Sequence, residues 1–108
     1  MAVDILPGAQ EDLKELKTYL MQNFGKKSWE KAKKEIFDRF DRVDKNPNYG
    51  QIVPELQAIG ILNFFQTLTS HHKIIYEPDP ANNITYIHIV ASFSQDFQTL
   101  LKKRMLMP

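Results

Sequence analysis

Residues 63–93, NFFQTLTSHHKIIYEPDPANNITYIHIVASF, decide the fold of this chain. β-Branched and aromatic residues dominate them, and turn residues divide them into three runs, as successive strands require. Ser70 and His71 mark the first break. The second is Pro78-Asp79-Pro80-Ala81-Asn82-Asn83, where two prolines remove ladder donors and the asparagine pair tolerates tight backbone geometry. Three strands joined this closely predict an antiparallel meander. Such a sheet needs cover on at least one face. With helices on one side, the other face and its rim are the expected place for function.

The helices lie upstream. Ala2–Leu6 is short and apolar, in keeping with an edge strand, and Pro7 suits the first turn of a helix, where a missing N–H costs nothing. Leu13, Leu16 and Leu20 then share one face, with Glu11, Asp12 and Glu15 placed early to complement the helix dipole, and Gly25 ends the run. Ser28 is the expected N-cap of a second helix, whose apolar stripe is Trp29, Ala32, Ile36, Phe40 and Val43. Asn46-Pro47-Asn48-Tyr49-Gly50 terminates it. Residues so closely connected form an αα-hairpin, packed on the sheet. Gln51–Leu62 reads as a connector punctuated by Pro54 and Gly60, and Gln95–Arg104 as a short C-terminal helix built on Phe97, Leu100 and Leu101.

The expected architecture is therefore α+β in the order β-α-α-β-β-β-α: a short first strand, an αα-hairpin on a three- to four-stranded antiparallel sheet, and a C-terminal helix. At 108 residues the chain forms one domain, 1–108, able to bury about two-thirds of its unfolded surface. The absence of cysteine excludes a disulfide framework and a thiolate zinc site. No run resembles a signal peptide or reaches the length of a membrane span, so a cytoplasmic protein without membrane contact is expected. A net charge of +1 points neither to nor away from nucleic acid.

Several residues invite a chemical reading. Lys26, Lys27, Lys31, Lys33 and Lys34 give the second helix a basic face, but interleaved acids make a solvated amphipathic surface the better account. Lys102, Lys103 and Arg104 have no acid among them and form a stronger electrostatic anchor, one that dipole complementarity at a helix end also explains. His71 and His72, as neighbours in a strand, point to opposite faces and do not share a metal ion. His88 is best read as a satisfied sheet histidine, and Tyr76 and Tyr86 as packing aromatics on neighbouring strands. Met105-Leu106-Met107 either docks back on the domain or is covered by a partner. No Ser/His/Asp set, phosphate loop or carboxylate pair stands at a convincing spacing.

In their order, these elements resemble the RelE/ParE superfamily of toxins from bacterial type II toxin–antitoxin systems, over nearly the whole chain. The residues that carry the resemblance are Leu6-Pro7-Gly8-Ala9-Gln10-Glu11-Asp12-Leu13, the helix end at Asn46-Pro47-Asn48-Tyr49-Gly50, and Pro54-Glu55-Leu56 in the connector. To these are added the strand His72-Lys73-Ile74-Ile75-Tyr76-Glu77, similar to a "Tyr-Arg-aliphatic-aliphatic-Tyr" strand, and Ser94-Gln95-Asp96-Phe97, similar to an Arg-Gln-Asp-Phe ending.

The resemblance implies one of two activities: ribosome-dependent cleavage of messenger RNA, or inhibition of DNA gyrase by binding. The nucleases use two arginines to stabilise phosphate charge. Here Lys73 stands in place of the first, Ser94 in place of the second, and Leu62 where many relatives have arginine. Lysine keeps the charge but loses the bidentate fork, and serine carries none. Losing one such donor costs about 3–4 kcal/mol of transition-state stabilisation. The expectation is thus a ParE-like gyrase inhibitor, with no catalytic residue, metal or cofactor. A ribosome-dependent endoribonuclease and a non-toxic homologue that keeps antitoxin binding are the alternatives. The resemblance also implies a cognate antitoxin, which supplies any contact with DNA. His72, Lys73, Gln95, Lys102, Lys103 and Arg104 are the candidate target-binding residues.

Overall fold

β1 (Ala2–Ile5) opens the chain, but it pairs with the strand that comes last. The computed structural model describes residues 2–107. After β1 come α1 (Pro7–Asn23), α2 (Lys26–Lys45), β2 (Gln51–Ile52), α3 (Pro54–Gln57), β3 (Phe65–Leu68), β4 (His72–Asp79), β5 (Ile84–Ser92) and α4 (Phe97–Leu101). A π-helical turn at Lys102–Leu106 extends α4. The expected meander is β3-β4-β5, within a five-stranded sheet of order β1-β5-β4-β3-β2. β1 lies parallel to β5, with Ala2 opposite Ile84 and Ile5 opposite Ile87. A parallel pair needs a long crossover, which the helical hairpin and the meander together supply. β2 and α3 occupy the stretch expected to be a plain connector.

Gly25 does two tasks. At φ 94° it takes the left-handed conformation that closes α1, and it is also the N-cap of α2. The second helix consequently starts at Lys26, two residues ahead of the expected Ser28 cap. The acidic residues of α1 lie beyond its first turn, so Asp12 serves the sheet instead of the dipole. At the other end Asp96 caps α4: its Oδ1 accepts the Thr99 N–H at 3.2 Å and its Oδ2 the Thr99 hydroxyl at 2.7 Å. These two donors hold the Asp96 carboxyl below its ordinary pKa.

The register between β4 and β5 slips once. Ile75 faces Ile89 and Tyr76 faces Ile87, which leaves His88 as the extra residue of a β-bulge. The bulge turns His88 and Ile89 to the same face. Ile74, Tyr76, Ile87 and Val90 pack under the helices with Ala9, Ile36, Phe40 and Val43. Ile75, Ile89 and Ala91 point the other way and pack with Val53, Leu56 and Leu101, flanked by Phe64, Phe97, Leu100 and Met105.

The second face is therefore covered, not free. The sequence signal was the unbroken apolar runs of β4 and β5, since a strand buried on both sides loses its polar alternation. Tyr76 and Tyr86 also fall on opposite faces: Tyr86 stands opposite Glu77, and Tyr76 opposite Ile87. Met105 docks onto the second core, whereas Leu106 and Met107 are exposed. Pro108, the last residue of that tail, lies outside the described residues.

Candidate functional site

α1, α2 and the adjoining ends of β4 and β5 enclose a groove of about 880 Å³. Leu16, Tyr19 and Leu20, with Phe24 just past the end of α1, form its first wall, Lys31, Ala32 and Glu35 its α2 wall, and His72, Val90 and Ser92 its floor. Phe93, Ser94 and Gln95 complete the rim. Tyr19 and Phe24 meet edge to face at 6.0 Å and remain 55% and 65% exposed; Phe93 is 50% exposed. Three large aromatics on one groove are a concentration of apolar surface that monomeric proteins usually bury.

Polar groups interrupt this surface at its inner end. Glu35 accepts the Ser70 N–H at 2.9 Å and the Ser70 hydroxyl at 2.7 Å, tying α2 to the β3–β4 turn. Those bonds lower the Glu35 pKa. His72 is 6% exposed, and burial lowers its pKa, helped by the neighbouring His71. His71 sits in the turn ahead of β4, so strand alternation does not govern it. Both rings border the groove, with centroids 6.5 Å apart, instead of pointing to opposite faces. Among the described residues no group of three or more His, Cys, Asp or Glu is arranged to hold a metal ion.

The six candidate residues do not converge on one point. His72 and Gln95 border the groove, and the Gln95 side-chain oxygen accepts the Ser92 N–H at 2.8 Å. Lys73 lies on the opposite face with its Nζ 4.0 Å above the Phe97 ring, a cation–π contact that helps seat α4. Lys102 and Lys103 are exposed on the π-helical turn. Arg104 folds back: its Nη1 pairs with Asp12 Oδ1 at 2.9 Å, and its Nη2 donates to the His88 carbonyl at 2.8 Å. Ser94 bonds Ser92, hydroxyl to hydroxyl, at 2.8 Å.

His88 is satisfied as expected. Its Nε2 lies 2.9 Å from Glu77 Oε1, Asn63 holds the other Glu77 oxygen at 2.8 Å, and Phe64 meets its ring edge-on at 5.1 Å. Asp12, Glu35 and the aromatics Tyr19, Phe24 and Phe93 escape a reading of the sequence. Tyr19 and Phe24 were detectable as apolar residues off the Leu13-Leu16-Leu20 stripe; Asp12 gives no local sign of a partner 92 residues away.

Residues 3–97 match the family described as "ParE toxin of type II toxin-antitoxin system, parDE". Eight solved chains match this structure. One of them comes from the toxin–antitoxin complex RelBE2 of Mycobacterium tuberculosis, with a TM-score of 0.55 at 15% identity, over 84% of this chain and 95% of that one. At that identity the likeness speaks for the fold. No curated protein matches significantly. The family match runs through β1, the helical hairpin and the whole meander to the first residue of α4, and by it this chain belongs to the ParE toxin family of type II toxin–antitoxin systems.

Proposed function

We propose that this chain is the toxin of a type II toxin–antitoxin module, that it acts by binding DNA gyrase rather than by cutting RNA, and that a cognate antitoxin neutralises it by laying an amphipathic helix in the groove between α1 and α2. Lys73, Ser94 and Arg104 carry the preference for binding over cleavage. The lysine is stacked on Phe97, the serine is bonded to Ser92, and the guanidinium is held by Asp12 at the sheet edge. Cleavage of RNA calls for cations converging on one phosphate. The groove supports the antitoxin contact: helix-in-groove recognition needs exposed apolar walls, and Tyr19, Phe24 and Phe93 provide them.

One paired assay with purified protein tests the target. The expected result is inhibition of gyrase in plasmid supercoiling, with intact messenger RNA by primer extension during translation in vitro. Codon-spaced cleavage with normal supercoiling would overturn the proposal in favour of a ribosome-dependent endoribonuclease. Tight antitoxin binding with neither activity would overturn it in favour of a non-toxic homologue.

A further inference from the structure

One carboxylate belongs both to the groove and to the far side of the sheet. Asp12 lines the α1 wall of the groove, and each of its oxygens is engaged. Oδ2 accepts the Val90 N–H at 3.0 Å, and Oδ1 pairs with Arg104 at 2.9 Å. β1 accompanies β5 only as far as Ile87, so beyond it the edge of β5 presents unpaired backbone groups. Asp12 satisfies one of them, and Arg104, reaching round from the π-helical turn, satisfies the His88 carbonyl at 2.8 Å. Gly8 makes the room, because a Cβ there would overlap the Arg104 guanidinium. The two side chains are only 14% and 23% exposed, so neither charge is cheaply left alone. Arg104 is thus the polar tie of a segment whose last residues, Leu106 and Met107, are exposed.

We propose that Asp12 couples occupancy of the groove to docking of the C-terminal segment, residues 102–107. The occupant is an antitoxin helix that presents a lysine or arginine to the acidic α1 wall, where Glu15 stands one turn beyond Asp12. That cation takes the Asp12 carboxylate from Arg104 and frees the segment from the edge of β5. One cation replaces another on the same oxygen and Arg104 returns to water; release also takes the donor from the His88 carbonyl and Met105 from the second core, and the apolar contacts of the bound helix must offset both. Lys102 and Lys103 move with the segment, and the antitoxin thereby repositions them from the opposite face. The coupling rests on the groove being the antitoxin site. It is reciprocal: a chain without the tie binds the same helix more tightly.

Hydrogen exchange read by mass spectrometry tests this on the full chain, free and bound to its cognate antitoxin. In the wild type, antitoxin is expected to slow exchange at Val90 and along α1, and to speed it about tenfold at 105–107. Arg104→Gln shows the fast C-terminal exchange without antitoxin and binds it about tenfold more tightly; Arg104→Lys restores part of the slow exchange. Should Arg104→Gln fail to fold, the wild-type comparison decides alone. A protected groove with unchanged exchange at 105–107 overturns the coupling and leaves the docking site intact. Unprotected groove amides in the complex overturn both.

Discussion

Tyr76 shows how much can depend on one hydroxyl. Its ring is fully buried and stacks on Phe65 at 5.8 Å, while its oxygen donates to the Pro47 carbonyl at 2.9 Å and accepts the Gly50 N–H at 2.8 Å. Burial raises its pKa. The bonds pin the end of α2 to the centre of the sheet. Tyr76→Phe keeps the ring but strands two backbone groups, and should cost about 1–3 kcal/mol in urea denaturation. Gly50→Ala should also destabilise, because the added Cβ meets the Gln66 carbonyl and the Tyr76 hydroxyl. His72 gives the pH dependence. Its pKa in the folded chain lies below the ordinary 6.5, so between those two values the unfolded chain binds more protons. The His72 contribution is complete above pH 6.5 and falls, by at most about 1.4 kcal/mol per pH unit, as pH drops through the folded value. Thermal midpoints measured from pH 7.5 to 5 should decline, and His72→Gln should flatten the decline. Glu35 has the same sign in a lower window, since its stabilisation is lost below about its ordinary 4.5.

The helices were the most legible elements, because a period of 3.6 is visible within one run of sequence. Ile36, Phe40 and Val43 are buried as their spacing requires. Phe40→Ala should therefore cost about 3–5 kcal/mol, read from the denaturation midpoint; a negligible change would mean that another face of α2 is buried. What stayed hidden depends on partners far along the chain. Nothing within Ala2–Ile5 announces a parallel partner beginning at Ile84, and the two residues of β2 are too few to show any period. α2 starts ahead of its expected cap for a local reason: Ser28 is the better capping residue, but Gly25 has already turned the chain. The cover on the second face was partly legible, in Phe97, Leu100 and Leu101, but helical spacing does not say which surface a stripe meets. The groove was legible only as a general property of a helical hairpin. Its depth and its histidine floor come from how the two helices rest on the sheet.

At the scale of the molecule, the two faces of the sheet carry different surfaces, so the proposal that the groove takes the antitoxin predicts that antitoxin recognition can be separated from toxicity. Tyr19, Phe24 and Phe93 border the groove on the helical side; Lys73 packs with α4 on the other, and Lys102 and Lys103 extend from it. Phe24 is 65% exposed, so Phe24→Ala should leave stability within about 0.5 kcal/mol of the parent. If Phe24 anchors the antitoxin helix, the same change should weaken binding about tenfold or more, as truncation of a central aromatic does. Growth arrest in the absence of antitoxin should be unaffected. The double substitution Lys102→Ala/Lys103→Ala should do the reverse, weakening growth arrest while the antitoxin still binds, and Lys73→Ala should join it if the outer face of β4 reaches the target. Phe24→Ala and the Lys102/Lys103 pair leave Asp12, Arg104 and the seat of α4 in place, so the link across the edge of β5 is undisturbed; Lys73→Ala removes the contact with Phe97 that helps seat α4. Calorimetric titration with antitoxin, set beside growth curves from an inducible promoter, separates the two classes. If Phe24→Ala abolished growth arrest as well, one surface would serve both partners, and neutralisation would be direct competition for the groove.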